Sequence, residues 1–148
     1  MIENRDKGIE IVLGFEDPGL TGTITKDAGG RTRYGIAEKY NPDLWINGQP
    51  SLEEAQKCYL EKYWIPAGCD DLPYPMDIAV FNASVNPGSG AVKLIRENNP
   101  NCDFEHFMRG ILRWYARKCI NNPNLLKYLS GWTIRVLDLW NMIEKDKP

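Results

Sequence analysis

The 148-residue chain has the length of one globular domain, with 43% hydrophobic and 26% charged residues. Its net charge of −2 gives no electrostatic reason to expect a nucleic acid or an anionic membrane as a partner. No apolar run approaches the ~18 residues that a membrane-spanning helix needs. These features favour a small protein whose function must be sought in particular side chains.

The cysteines and the single histidine, His106, argue against a metal site. The four cysteines lie far apart, without a Cys-x-x-Cys pair, whereas zinc ligands usually come in closely spaced pairs. Free, mostly buried thiols are the simplest interpretation. A disulfide stays open, with Cys102 and Cys119 as the one candidate pair. We expect no metal and no cofactor.

The first third of the chain predicts one helix followed by a small β-hairpin. An apolar stripe over residues 2–13 has helical spacing and predicts a helix that ends near Phe15. Residues 20–25 favour β-structure, and the sequence Asp27-Ala28-Gly29-Gly30 is typical of a turn.

The rest of the chain predicts further helices separated by Pro, Gly and Asn. Ser51-Leu52-Glu53-Glu54 has the form of a capping box and predicts a helix that runs to about Tyr63. The other helices are predicted over residues 76–85, over 91–96, after the capping residue Asp103 and after Asn122-Pro123. Since no repeat or linker interrupts the pattern, we expect a single, mainly α domain.

Glu16 is the first candidate for chemistry. It follows Ile9, Val12 and Leu13 at helical spacing, so it points toward the apolar side where the predicted helix ends. Partial removal from water favours the neutral form of a carboxyl group, which can then donate a proton. A solvated glutamate at a frayed helix end is the plainer alternative.

Asp27 and Thr32 follow Glu16 across the predicted hairpin. Cleavage of a glycosidic bond needs an acid for the leaving oxygen and a second carboxylate that stabilises positive charge or orients water. A helix end and a hairpin can face two such groups across a cleft, and a threonine hydroxyl can hold the water. Asp in a turn and Thr in a hairpin are also common for structural reasons, so both interpretations stay open.

Three motifs occur in order along the chain. They are Glu16-Asp17-Pro18-Gly19 with Asp27-x-Gly29-Gly30-x-Thr32-x-Tyr34-Gly35-Ile36, then Phe81-Asn82-x-x-Val85-Asn86-x-Gly88, then Tyr128-Leu129-x-Gly131-Trp132-x-x-Arg135-Val136. Together they resemble glycoside hydrolase family 108, N-acetylmuramidases found as phage endolysins and bacterial lysozyme-like proteins. The third motif resembles the peptidoglycan-binding segment that accompanies the family.

The resemblance implies a lysozyme-like, mainly α fold with a small hairpin near the N-terminus. It implies cleavage of peptidoglycan between N-acetylmuramic acid and N-acetylglucosamine, with Glu16 as the general acid. Asp27 and Thr32 would resemble the remaining members of the Glu/Asp/Thr set of phage-type lysozymes. Within one domain, residues 1–88 would be catalytic and residues 89–148 would form a helical peptidoglycan-binding part.

The matched segments also contain candidate substrate contacts. These are Tyr34, Asn82, Asn86, Tyr115, Trp132 and Arg135. Core packing is the alternative for Tyr115 and Trp132, which lie on apolar stripes. Arg135 can meet a muramyl carboxylate or form a salt bridge within the domain. His106, near a helix start, fits a surface or capping role.

Two positions depart from the family pattern, which usually has Glu-Gly-Gly and Phe-Asp. Asp17 places a second carboxylate beside Glu16 and is an alternative to Asp27 as its partner. Asn82 lacks the charge of an aspartate, although its amide can bind a sugar hydroxyl or an acetamido group. These departures bear on activity rather than on the fold.

Two rival functions remain from the sequence. A lytic transglycosylase uses the same glutamate but closes the product into a 1,6-anhydro sugar without needing Asp27. A non-catalytic peptidoglycan-binding or export-assisting protein is the other rival. We expect a monomer whose partner is the peptidoglycan glycan strand. Since Met1–Gly8 lacks the apolar centre of a secretory signal, we expect it to stay in the cytoplasm until released, for example through a holin.

Overall fold

The computed structural model describes residues 2–27 and 29–146, and within them the chain is mainly helical, as predicted. The α-helices are α1 (Arg5–Glu16), α2 (Leu52–Tyr59), α3 (Met76–Ala83), α4 (Ser89–Asn98), α5 (Phe104–Asn121) and α6 (Leu126–Lys145). The antiparallel sheet has strands β1 (Thr25–Asp27), β2 (Gly30–Arg33) and β3 (Ile36–Ala37), in that order. None of the described helices is long and apolar enough to cross a membrane.

Short helical turns join the longer elements. They are 3₁₀ turns at Ile2–Asn4, Pro42–Trp45, Cys69–Asp71 and Pro123–Leu125, and π-helical turns at Leu60–Trp64 and Ser84–Gly88. The π-turn after α3 holds Asn86 in a non-helical conformation, with φ −151° and ψ 115°. The predicted break between the helices over residues 76–85 and 91–96 is therefore confirmed, because Asn86 interrupts the regular helix there.

The predicted helix starts are confirmed where a side chain caps them. The Ser51 hydroxyl accepts from the Glu54 backbone N–H, and the Glu54 carboxylate accepts from the Ser51 N–H, which completes the capping box of α2. Asp103 accepts from the His106 N–H at the start of α5. The His106 ring also contacts Asp103 at the surface, in agreement with a capping role.

The hairpin is shorter at its start than the sequence predicts, and it gains a third strand. Leu20 has a φ of +48° and lies in a turn, where its N–H donates to the Asp17 carbonyl. The β-favouring side chains before Thr25 therefore belong to a loop. The extra strand β3 pairs with β2 through Ile36, whose side chain is buried.

Helix α3 forms the centre of the core. All eight of its residues are buried, and α1 and α5 pack against it. Gly8 of α1 lets the Trp64 ring approach, since a Cβ at Gly8 would lie 2.7 Å from that ring. Trp64 in turn packs edge-on against Phe81, with ring centroids 5.2 Å apart. This packing fixes α1 and α3, whose ends supply the site residues.

None of the four cysteines forms a disulfide, so the Cys102–Cys119 pair considered from the sequence is not bridged. Cys58, Cys69 and Cys119 are buried, and Cys102 is half-buried. Burial raises the pKa of the Cys69 thiol to about 12. Such a thiol packs as a small apolar side chain.

Candidate active site

Glu16 is the last residue of α1, at the point where the chain leaves the helix. Asp17 has non-helical dihedral angles, and Pro18 follows it, so the helix cannot continue. The Glu16 side chain is 24% exposed and lies on the side of α1 that buries Val12 and Leu13. Its carboxylate is therefore held at the surface of the core yet reachable from solvent.

Arg135 of α6 fixes the Glu16 carboxylate. Its Nη1 donates to Glu16 Oε1 at 2.6 Å, while Nε and Nη2 donate to Asn82 Oδ1 at 3.1 and 2.9 Å. The guanidinium also lies over the Phe15 ring, 4.9 Å from its centroid. We call Glu16, Asn82 and Arg135 the Glu16 cluster. It joins α1, α3 and α6 by charge-assisted hydrogen bonds.

Two polar atoms of the Glu16 cluster have no hydrogen-bond partner among the described residues. They are Oε2 of Glu16 and Nδ2 of Asn82. One oxygen of the carboxylate is thus fixed by Arg135, and the other remains for a bound molecule. The free amide N–H groups can donate to an acetamido or hydroxyl oxygen.

Tyr59 and Gly35 hold the end of the hairpin against Glu16. The Tyr59 hydroxyl donates to the Tyr34 carbonyl at 3.0 Å, and burial together with the negative charge of Glu16 raises the pKa of Tyr59. The phenol therefore stays protonated and keeps this bond. A Cβ at Gly35 would lie 2.3 Å from the Tyr59 hydroxyl and 2.7 Å from Glu16 Cβ, so the close approach requires glycine.

A second group of predicted residues lies beside the Glu16 cluster. The Tyr115 hydroxyl donates to Asn86 Oδ1 at 3.1 Å, and its ring stacks on Trp132 with centroids 4.7 Å apart. Burial raises the pKa of Tyr115 to about 12, with Arg135 acting against the shift and Glu16 adding to it. Both charges belong to the Glu16 cluster, so the cluster acts electrostatically on the Tyr115 phenol. Tyr115 itself is buried, whereas Trp132 is half-buried.

The hairpin residues make different contacts. The exposed Asp27 accepts a hydrogen bond from the Gly29 N–H at 2.7 Å, which is an Asx-turn contact. Thr32 is half-buried in β2, opposite Thr25. Within residues 2–27 and 29–146, no hydrogen bond joins Asp27 or Thr32 to Glu16. Their catalytic roles stay predictions.

Asp17, the alternative second carboxylate, caps the loop that follows α1. It accepts from the Gly22 N–H at 2.7 Å and from the Thr21 hydroxyl at 2.9 Å. These hydrogen bonds, led by the one from Gly22, lower the pKa of Asp17. Both oxygens of this ionised group are occupied by its own loop.

The sequence did not reveal the roles of two residues that hold the end of the hairpin against Glu16. Tyr59 lies on the buried face of α2 with Ala55 and Cys58, a pattern that any core tyrosine would show. The need for glycine at position 35 depends on Glu16 and Tyr59 meeting there, and only the fold brings them together.

The sequence profile of glycosyl hydrolase 108 matches residues 11–88, which are 78 of the 148 residues. The matched part contains Glu16, Gly35, Tyr59 and Asn82, whereas the segment after residue 88 lies outside it. No curated protein and no solved structure matches the chain. Because the profile covers more than half of the sequence, the chain belongs to glycosyl hydrolase family 108 and is a glycoside hydrolase.

Proposed function

We propose that the chain is an N-acetylmuramidase that cleaves peptidoglycan between N-acetylmuramic acid and N-acetylglucosamine, with Glu16 as the general acid. The observation that supports this role is the geometry of its carboxylate. One oxygen is fixed by Arg135, the other has no partner among the described residues, and the side chain is reachable from solvent. In this proposal the unbonded oxygen, Oε2, carries the proton and passes it to the oxygen that leaves the sugar.

The other residues of the Glu16 cluster have supporting roles in this proposal. Arg135 sets the orientation of the carboxylate, and Asn82 holds Arg135 through its carbonyl oxygen. The amide Nδ2 of Asn82 donates to an acetamido group of the substrate. The exposed edge of Trp132 and the polar groups of Tyr34 and Asn86 line the path of the glycan.

Asp27 and Thr32 act on water in this proposal. In an inverting glycosidase the second carboxylate stands about 6.5–9.5 Å from the acid and deprotonates a water between them. One oxygen of Asp27 is used in its turn, which leaves the other for that water. The Thr32 hydroxyl helps to hold the water.

Residues 1–88 form the catalytic part and residues 89–148 the helical peptidoglycan-binding part in this proposal. The division is not complete, because Tyr115, Trp132 and Arg135 come from the second part and lie beside Glu16. The enzyme works as a monomer on glycan strands of the cell wall, after release from the cytoplasm.

Mass spectrometry of purified peptidoglycan after digestion tests the proposal, because it reports the bond and the product type together. We expect fragments with a reducing N-acetylmuramic acid end. Fragments that end in 1,6-anhydro sugars would identify a lytic transglycosylase, a reaction that needs the acid but not Asp27, whose described hydrogen bond is to its own turn. Undigested peptidoglycan would contradict both activities.

A further inference from the structure

A groove runs between α4 and α5, and none of its lining residues belongs to the Glu16 cluster. It has a volume of about 450 Å³. The helices approach closely at Gly110, since a Cβ there would lie 2.8 Å from the Ile95 side chain. On α5, Arg113 and Arg117 each lie two residues from the buried Tyr115, about 160° around the helix. The groove is therefore a surface separate from the candidate active site.

The lining of this groove is positively charged. It includes Arg113, Arg117 and Lys118, and no Asp or Glu is among its lining residues. Neither arginine forms an ion pair or a hydrogen bond with another described residue. Like charges four residues apart on a helix repel each other, so Arg113 and Arg117 destabilise α5. No described ion pair or hydrogen bond of either arginine offsets this repulsion. It also stands out in a chain whose net charge is −2.

Apolar surface lies next to these cations. Leu94 is 50% exposed at the edge of the groove, and the half-buried Trp114 ring faces Lys118, whose Nζ lies 4.8 Å from the ring centroid. The site thus combines guanidinium groups, which hold carboxylates by paired hydrogen bonds, with a surface for small aliphatic groups. A volume in this range is typical of pockets for small ligands.

We propose that this groove binds a short acidic peptide with several free carboxylates, namely the stem peptide of peptidoglycan. The identification of the peptide rests on the proposed function, because the stem peptide is the acidic peptide of that substrate. The two arginines without an ion pair line one short groove between two helices, so they match a few residues of peptide better than a long polyanion such as nucleic acid. Arg113 and Arg117 each bind a carboxylate, while Trp114 and Leu94 contact the alanine side chains.

The test is a binding titration of the full chain with synthetic L-alanyl-γ-D-glutamyl-diaminopimelyl-D-alanine. We expect Arg113→Gln and Arg117→Gln each to weaken binding by about tenfold, because each loses charge-assisted hydrogen bonds, while Arg109→Gln changes it less than about twofold. Arg109 is the matched control, since it lies on α5 outside the groove and pairs with Glu105. The same peptide with amidated carboxyl groups should bind at least about tenfold more weakly.

Three outcomes would overturn the inference: equal binding of the amidated peptide, equal loss in Arg109→Gln, or complete displacement of the peptide by an equal concentration of inorganic phosphate. Digestion of purified peptidoglycan by the same sample separates this inference from the proposed function. A chain that releases reducing muramyl ends but does not bind the peptide overturns the groove alone. A chain that binds the peptide and cleaves no glycan supports the groove and overturns the proposed muramidase.

Discussion

The Glu16 cluster and the hairpin that carries Asp27 are built by different kinds of contact. Arg135 reaches Glu16 across 119 positions of sequence and also bonds to Asn82, so three helices must pack correctly before the cluster forms. Asp27 bonds to the backbone only two residues away. Glu16 is thus placed by tertiary structure, whereas the carboxylate of Asp27 is placed by its own turn.

This difference fits two different chemical tasks. A general acid must meet one oxygen of the substrate in a defined geometry, so an orientation fixed by a partly buried guanidinium is useful. A group that acts on water needs access to solvent, and Asp27 is exposed. The comparison therefore predicts that substitutions in the Glu16 cluster lower kcat strongly, and that substitutions in the hairpin lower it less.

The largest effect is expected from Glu16→Gln. The amide keeps the shape and can still contact Arg135, but it cannot donate the proton, so we expect the rate of peptidoglycan cleavage to fall by about 10²–10⁴-fold. Glu10→Gln is the control, because Glu10 is an exposed glutamate of the same helix. A Glu16→Gln rate within about threefold of the parent chain would remove Glu16 from the mechanism.

Arg135→Gln is expected to have the second-largest effect on the rate of cleavage. Glutamine cannot bond to Glu16 and Asn82 at the same time, so the carboxylate loses its fixed orientation. We expect kcat to fall by about tenfold to a hundredfold with a smaller change in KM, and the free energy of unfolding to fall by about 1–3 kcal/mol. Steady-state kinetics below the melting temperature should be compared with Lys145→Gln on the same helix. A raised KM with normal kcat would make Arg135 a substrate-binding residue instead.

The hairpin can be tested with paired substitutions at Asp27. Asn retains an oxygen that accepts from the Gly29 N–H, whereas Ala removes both the charge and the turn bond. If Asp27 acts on water, Asp27→Asn lowers kcat by about tenfold and leaves the melting temperature unchanged, and Thr32→Ala has a smaller effect in the same direction. Normal specific activity in Asp27→Asn, with a lower melting temperature only in Asp27→Ala, would assign Asp27 to the turn.

Gly35→Ala should have the smallest effect on rate and a clear effect on stability. The new methyl group would collide with Glu16 and Tyr59, and the φ of +75° disfavours alanine, so we expect a loss of about 1–3 kcal/mol and a kcat several-fold lower. Gly14→Ala on α1 is the control, because its added Cβ has no atom within 4 Å apart from its chain neighbours and the backbone of its own helix. Thermal melts should show a gain for Gly14→Ala and a loss for Gly35→Ala, and equal melts would contradict the close contact.

The sequence predicted the parts of the fold that depend on neighbouring residues. The capping box at Ser51, the cap at Asp103 and the turn at Asp27 are local, so their patterns are visible in a few positions. The prediction of β-structure at Leu20 was wrong, because β-propensity does not take account of the turn in which the Leu20 N–H donates to the Asp17 carbonyl. The sequence left open whether Arg135 binds substrate or forms a salt bridge within the domain. Its hydrogen bond to Glu16 depends on how α6 packs against α1, which the sequence pattern does not show.

The most direct test of the Glu16 assignment compares two substrates that differ in their need for an acid. Cleavage of a muramyl glycoside with a dinitrophenolate leaving group needs no protonation, whereas cleavage of the natural glycan does. We expect Glu16→Gln to lose at least about a hundredfold on the natural glycan and less than about tenfold on the activated glycoside, both relative to the parent chain. An equal loss on both substrates would contradict the general-acid role and assign Glu16 to structure or binding.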